Sequence, residues 1–114
     1  LYKEYLGIDV PDDRRGCLQD SHWSGGSIGY FPSYALGSAY GPQILHTMER
    51  DLGDIYADVA EGDLSRIKAW LREHIHRYGC LYPSGELFTR TCGQFDARYY
   101  TDYLVKKYTE LYGL

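Results

Sequence analysis

Little in this sequence speaks for strands, membranes or nucleic acid. No Asn-Gly or Asp-Gly turn stands between alternating apolar runs, so hairpins have almost no signal. No apolar run approaches the ~20 residues that a bilayer span needs, and no membrane partner is expected. The opening residues, Leu1-Tyr2-Lys3-Glu4-Tyr5, hold neither the basic nor the apolar stretch of a secretory signal. They also lack Met, as expected for an internal position of a longer parent chain. Lys and Arg number 12 against 16 Asp and Glu, a formal charge of −4. This acidic balance offers no footprint for nucleic acid.

Cysteine is sparse too. Cys17, Cys80 and Cys92 are an odd set without a Cys-x-x-Cys pair, which excludes a zinc ribbon and leaves a disulfide framework unsupported. Free thiols in a reducing cytoplasm are the expectation. Tyrosine, by contrast, is plentiful: 13 Tyr stand against 3 Phe. Tyrosine buries a large ring but needs a partner for its hydroxyl, so the excess points to polar-lined interfaces or a cleft.

Helical signals dominate, and the expected class is all-α with four to five helices over a single stretch, 1–114. Leu1–Leu6 resembles a helix end stopped by Gly7, and a polar loop follows over Asp9–Arg15. Trp23–Ile28, rich in Gly and Ser, reads as loop. Pro32 suits the first turn of a long helix reaching about Leu52, because its missing N–H costs nothing there. Tyr30, Tyr34, Gly37 and Gly41 share one stripe, and the two glycines would let another backbone approach. Pro42 should bend this helix. Asp63 can cap a helix on which Leu64, Ile67, Leu71, Ile75 and Tyr78 keep helical spacing up to Gly79. Ser84 is expected to cap a short helix to about Thr91, and Asp96 to open a last one to about Tyr112. The apolar faces are broad enough to pack on something besides this chain.

The densest chemistry lies in Gly16-Cys17-Leu18-Gln19-Asp20-Ser21-His22-Trp23, followed by Gly29-Tyr30-Phe31-Pro32-Ser33-Tyr34. One imidazole, one carboxylate, one amide and two phenols fall within a loop and a helical turn. Such a set can donate to a developing oxyanion, and Asp20 can hold His22 in one tautomer. The plainer alternative makes Asp20 a turn cap and the tyrosines core. His74 and His76, two residues apart on a helix, would stand ~200° apart, so they suit a solvated face and not a metal. No His-Glu-x-x-His, phosphate loop or Gly-x-Ser-x-Gly elbow occurs.

The run from Gly16 to Trp23 resembles the G-x-x-Q-D-x-H-W motif of the M32 metallocarboxypeptidases, the carboxypeptidase Taq family, at all five fixed positions. The likeness continues through Gly29–Gly37 to Gln43. It resumes at Gly62-Asp63, Trp70–His76, Glu86-Leu87, Thr91, Gly93 and the tyrosine-rich final helix. Where the family tends to have Ala-Ala-Gln, this chain has Gly41-Pro42-Gln43.

The resemblance implies a C-terminal helical fragment of a much longer cytoplasmic peptidase with a deep cleft, its substrate-side loop and helix being residues 16–43. It further implies a divalent metal, zinc or cobalt, held by a His-Glu-x-x-His outside this stretch, so no metal ligand or cofactor is assigned to the chain itself. His22 and Tyr34 are the expected donors to substrate or oxyanion, with Tyr30 the substitute. Their spacing resembles a His and Tyr pair of related helical-cleft zinc peptidases. Gln19 and Asp20 would orient His22 or bind substrate backbone, and Trp23 would pack the loop. The implied partners are a peptide substrate and, as is common in the family, a second copy in a homodimer. The rival reading is a stand-alone helical interaction module descended from such an enzyme.

Overall fold

The computed structural model describes all 114 residues. It contains seven α-helices and no strand: α1 (Tyr2–Leu6), α2 (Ser21–Ser24), α3 (Pro32–Leu52), α4 (Ile55–Ala60), α5 (Ser65–His74), α6 (Ser84–Cys92) and α7 (Arg98–Tyr112). The all-α class is as expected, but the helix count exceeds four to five. The additions are short. α2 is a single turn and α4 has six residues, too few for a periodic stripe to show. The chain forms two compact units, Leu1–Ala35 and Leu36–Leu114, with α3 beginning in one and continuing in the other.

In the first unit, α1 stops where expected. Gly7 adopts a left-handed conformation (φ 69°) and its N–H closes on the Lys3 carbonyl. Residues 9–15 are not wholly loop, since Asp13–Arg15 makes a 3₁₀ turn capped by Asp12. A second 3₁₀ turn, Cys17–Gln19, leads into α2. Nearly every residue of this unit is exposed; Gly16 alone is fully buried.

The second unit carries the core. Met48, Ile55 and Trp70 are buried, and Ile44, Leu45, Leu52, Ile67, Leu71 and Ile75 pack around them. Burying side chains such as Met48 and Ile55 stabilises by roughly 1.5–3 kcal/mol each. Trp70 also donates its indole N–H to Asp51 Oδ2 at 2.9 Å, so its one polar group is satisfied. A second aromatic cluster forms where Tyr40 stacks on Phe88 (4.1 Å between ring centres) with Phe95 edge-on to both.

Several local expectations change. α3 continues through Pro42, where the proline removes the N–H that would bond the Ser38 carbonyl, the loss on which the expected bend rests. Tyr30 precedes α3 and is not on its stripe, and nothing lies within 4 Å of where a Cβ on Gly37 or Gly41 would stand. The two glycines therefore receive no neighbouring backbone within this chain. Asp63 accepts the Ser65 amide at 2.8 Å at the start of α5, but the cap position itself is Leu64, which offers no side-chain bond. That helix ends early: Ile75 (φ −130°, ψ −63°) breaks it, and His76–Tyr78 continues as a 3₁₀ turn. Ser84 does not cap α6, because Pro83 occupies the position before it and no side chain serves the cap. Asp96 does serve α7, accepting the Arg98 amide at 2.9 Å.

α7 buries no residue at all, and Leu111 and Tyr112 remain about two-thirds exposed. No helix is long and apolar enough to cross a membrane.

Candidate functional site

The first unit brings the sequence cluster together around one imidazole. The path to it is set at Gly16, where the two 3₁₀ turns meet. A Cβ here would stand 2.5 Å from Val10 Cγ1 and 3.3 Å from the Asp12 carbonyl, so any larger residue would force Val10 to move and crowd the turn. Asp12 secures the preceding turn by accepting the Arg15 amide at 2.9 Å and its guanidinium at 2.6 Å.

Asp20 then caps α2. Its Oδ1 accepts the His22 backbone N–H at 2.8 Å and faces His22 Nδ1 at the same distance. The His22 backbone amide, more than its ring, holds the Asp20 carboxyl below the usual carboxylate value. Both side chains are about one quarter exposed. The Ser27 amide bonds the His22 carbonyl at 2.7 Å, and Gly26 and Gly29 take positive φ to turn the chain back toward the imidazole.

Three aromatic rings surround His22. Ring centres lie 5.1 Å away for Tyr30 and 5.9 Å for both Phe31 and Tyr34. Tyr30 and Tyr34 meet edge to face at 5.6 Å, and each is about half exposed. Phe31 was not among the expected site residues. Its place beside Tyr30 in the Gly-Tyr-Phe-Pro run was the available signal.

Gln19 is placed differently from His22's partner Asp20: its Nε2 donates to the Arg14 carbonyl at 2.6 Å, which ties it to the preceding turn. Trp23 does not pack the loop as expected; it is 61% exposed. With Tyr2, Gln19, Asp20 and Phe31 it lines a surface cavity of about 340 Å³.

Chemically, the cluster offers two phenol donors and an oriented imidazole beside an open cavity. No three His, Cys, Asp or Glu side chains anywhere in the chain lie close enough to share an ion. His74 stacks on Trp70 (4.6 Å) and His76 lies beyond the break at Ile75, so the pair does not share one helix. All three cysteines are free, and burial pushes the Cys92 thiol up from its usual value.

Residues 1–108 match the family model described as carboxypeptidase Taq (M32) metallopeptidase. Carboxypeptidase 1 of Bacillus subtilis is 42% identical over 114 residues, covering 99% of this chain and 23% of that protein. Thermostable carboxypeptidase 1 of Pyrococcus furiosus is 42% identical over 104 residues, covering 90% of this chain and 21% of that protein. The crystal structure of M32 carboxypeptidase from Deinococcus radiodurans R1 superposes with a TM-score of 0.91 at 41% identity, over 99% of this chain and 23% of that one. The chain thus spans less than a quarter of the length of the relatives it matches. With the family model matched along almost its whole length, the chain belongs to the carboxypeptidase Taq (M32) metallopeptidase family.

Proposed function

We propose that this chain is the C-terminal, substrate-facing portion of a metal-dependent carboxypeptidase, which removes the last residue of a peptide. The observation that carries the reading is the convergence of Tyr30, Tyr34 and the Asp20-oriented His22 on one partly open cluster. Peptide hydrolysis builds negative charge on the attacked carbonyl oxygen, and fixed donors stabilise that charge more than the neutral ground state. His22 and Tyr34 are assigned that role, with Tyr30 as the substitute donor. Asp20 orients His22; Gln19 and Trp23, at the neighbouring cavity, are assigned to the substrate. The divalent metal, zinc or cobalt, is assigned to the remainder of the longer protein, since the residues here do not converge on an ion. A catalytic zinc takes three protein ligands, so no catalytic step is ascribed to this chain alone. The exposed faces of the first unit and of α7 support packing on that remainder or on a second copy in a homodimer. Three free cysteines support a reducing, cytoplasmic setting.

The test is a chimera in which these 114 residues replace the matching stretch of the Bacillus subtilis relative. The chimera should release the C-terminal amino acid from a blocked dipeptide and lose that activity to a chelator. The isolated chain should show neither turnover nor retained metal after dialysis. A folded, metal-loaded chimera without turnover, or turnover by the isolated chain, would contradict the reading.

A further inference from the structure

The cavity of about 340 Å³ in the first unit is walled by the rings of Tyr2, Trp23 and Phe31, with Gln19 and Asp20 between them, and no cationic side chain lines it. Its two most polar groups both present acceptors. Asp20 meets His22 through Oδ1 alone, so Oδ2 keeps its acceptor capacity, and the His22 amide favours the charged carboxylate. Gln19 spends its nitrogen on the Arg14 carbonyl at 2.6 Å. A carbonyl only accepts, which fixes the sense of the amide and leaves Oε1 as its free acceptor. Carboxylates also prevail around the cavity. Glu4, Asp9, Asp12, Asp13 and Asp20 outnumber Lys3, Arg14 and Arg15, and Lys3 and Arg15 are already paired with Asp9 and Asp12.

We propose that this cavity receives a basic side chain of the peptide, lysine or arginine, with its methylenes against the three rings and its charged head on Asp20 and Gln19 Oε1. The proposal rests on the substrate-facing reading given above and names the class of side chain read beside it. A lysine or arginine carries the two parts the cavity asks for, an apolar stem and a cationic tip. The ring faces attract the same cation that the acceptors bind. An acidic side chain would meet the Asp20 carboxylate with no cation to offset it. A plain aliphatic one would cover Asp20 and Gln19 Oε1 without supplying a donor.

Nα-acetyl-lysine N-methylamide and its arginine and norleucine counterparts, titrated into the 114-residue chain, test this through the NMR signal of the Trp23 indole N–H. Trp70, buried in the other unit, serves as the unmoved reference. The lysine and arginine compounds should shift Trp23 to saturation and bind roughly two- to fivefold more tightly than norleucine, the size of an exposed cation–π contact. Norleucine keeps the stem and lacks the charge. Asp20→Asn, which still offers a capping oxygen to α2, should remove most of that preference. Norleucine binding as tightly as lysine, no shift from lysine at all, or a lysine preference untouched by Asp20→Asn would overturn the proposal. So would leucinamide, whose one cation is its α-ammonium, matching the lysine compound, because an amino terminus and not a side chain would then be read. The readout is binding and not turnover, so a chimera that hydrolyses peptides while the lysine compound leaves Trp23 unmoved refutes this inference alone.

Discussion

Gln43 accepts the backbone N–H of Asp96 on its side-chain oxygen at 3.0 Å, across 53 positions of sequence. Its Nε2 donates to the carbonyls of Cys92 at 3.2 Å and Gln94 at 2.9 Å, and the residue is 3% exposed. One buried amide thus satisfies three backbone groups of the α6–α7 connection from the middle of α3. Replacing it removes a partner from each of those partly exposed groups, at a cost of up to roughly 1–3 kcal/mol each where water does not take its place.

Gln43→Leu should therefore lower the urea midpoint of the second unit markedly. Trp70 fluorescence in a Trp23→Phe background reports that unit, because Trp70 is its one tryptophan and is buried. Gln43→Glu should be worse at neutral pH, where a carboxylate would face two carbonyl oxygens, and should recover in part as acid protonates it. Unchanged midpoints would show that the bonds add nothing.

Acid should destabilise the protein through its hydrogen-bonded carboxylates. Asp12, Asp20, Asp51, Asp63 and Asp96 are each held below the ordinary 3.8, chiefly by the Arg15 side chain, the His22 amide, the Trp70 indole, the Ser65 hydroxyl and the Arg98 side chain respectively. A carboxyl whose folded value is depressed adds stability above its unfolded value and loses it as pH falls through the folded one. Urea midpoints should hold level from neutrality to about pH 5 and fall below 3.8. Asp51→Asn should remove part of the fall seen by Trp70, and an identical fall would contradict the assignment.

What the sequence made legible was whatever local chemistry determines. The bounds of α3 followed from Pro32 and a long helical stretch, and Gly7 and Asp63 acted as their residue types dictate. The break at Ile75 was hidden, because Ile75 still packs on the core as an unbroken helical stripe would require. The helix α4 did have a signal: Asp54, whose carboxylate takes the Tyr56 and Ala57 amides, stands just before it. Gln43 was visible as part of a motif but not as a strut, since its partners are backbone groups 49 to 53 positions away. At the site, the Asp20–His22 contact was legible from spacing of two, whereas the attachment of Gln19 to Arg14 was not.

Gly16 permits a direct steric test. Gly16→Ala should speed amide exchange at Gln19 and Asp20, whose N–H groups close the second 3₁₀ turn on Gly16 and Cys17. Val10→Ala removes the methyl that the new Cβ would meet at 2.5 Å and should restore part of the protection. The restoration should be incomplete, because the Asp12 carbonyl remains 3.3 Å away. Exchange that is indifferent to Gly16→Ala would mean the turn has another route.

The most direct measurement of the central claim is steady-state kinetics on the chimera with metal content determined in parallel, comparing His22→Phe and Tyr34→Phe with the unaltered site. Each substitution removes one donor and leaves most of the ring volume in the His22–Tyr30–Tyr34 cluster. Loss of one oxyanion donor should lower kcat by roughly 10²–10³ with metal retained. Tyr30→Phe should have the smaller effect, and the two tyrosines exchange roles if it does not. His74→Ala and His76→Ala, in the other unit, should stay within a small factor of the parent rate. Parent-like kcat for both His22→Phe and Tyr34→Phe, with metal in place, would show that the cluster is structural and contradict the account.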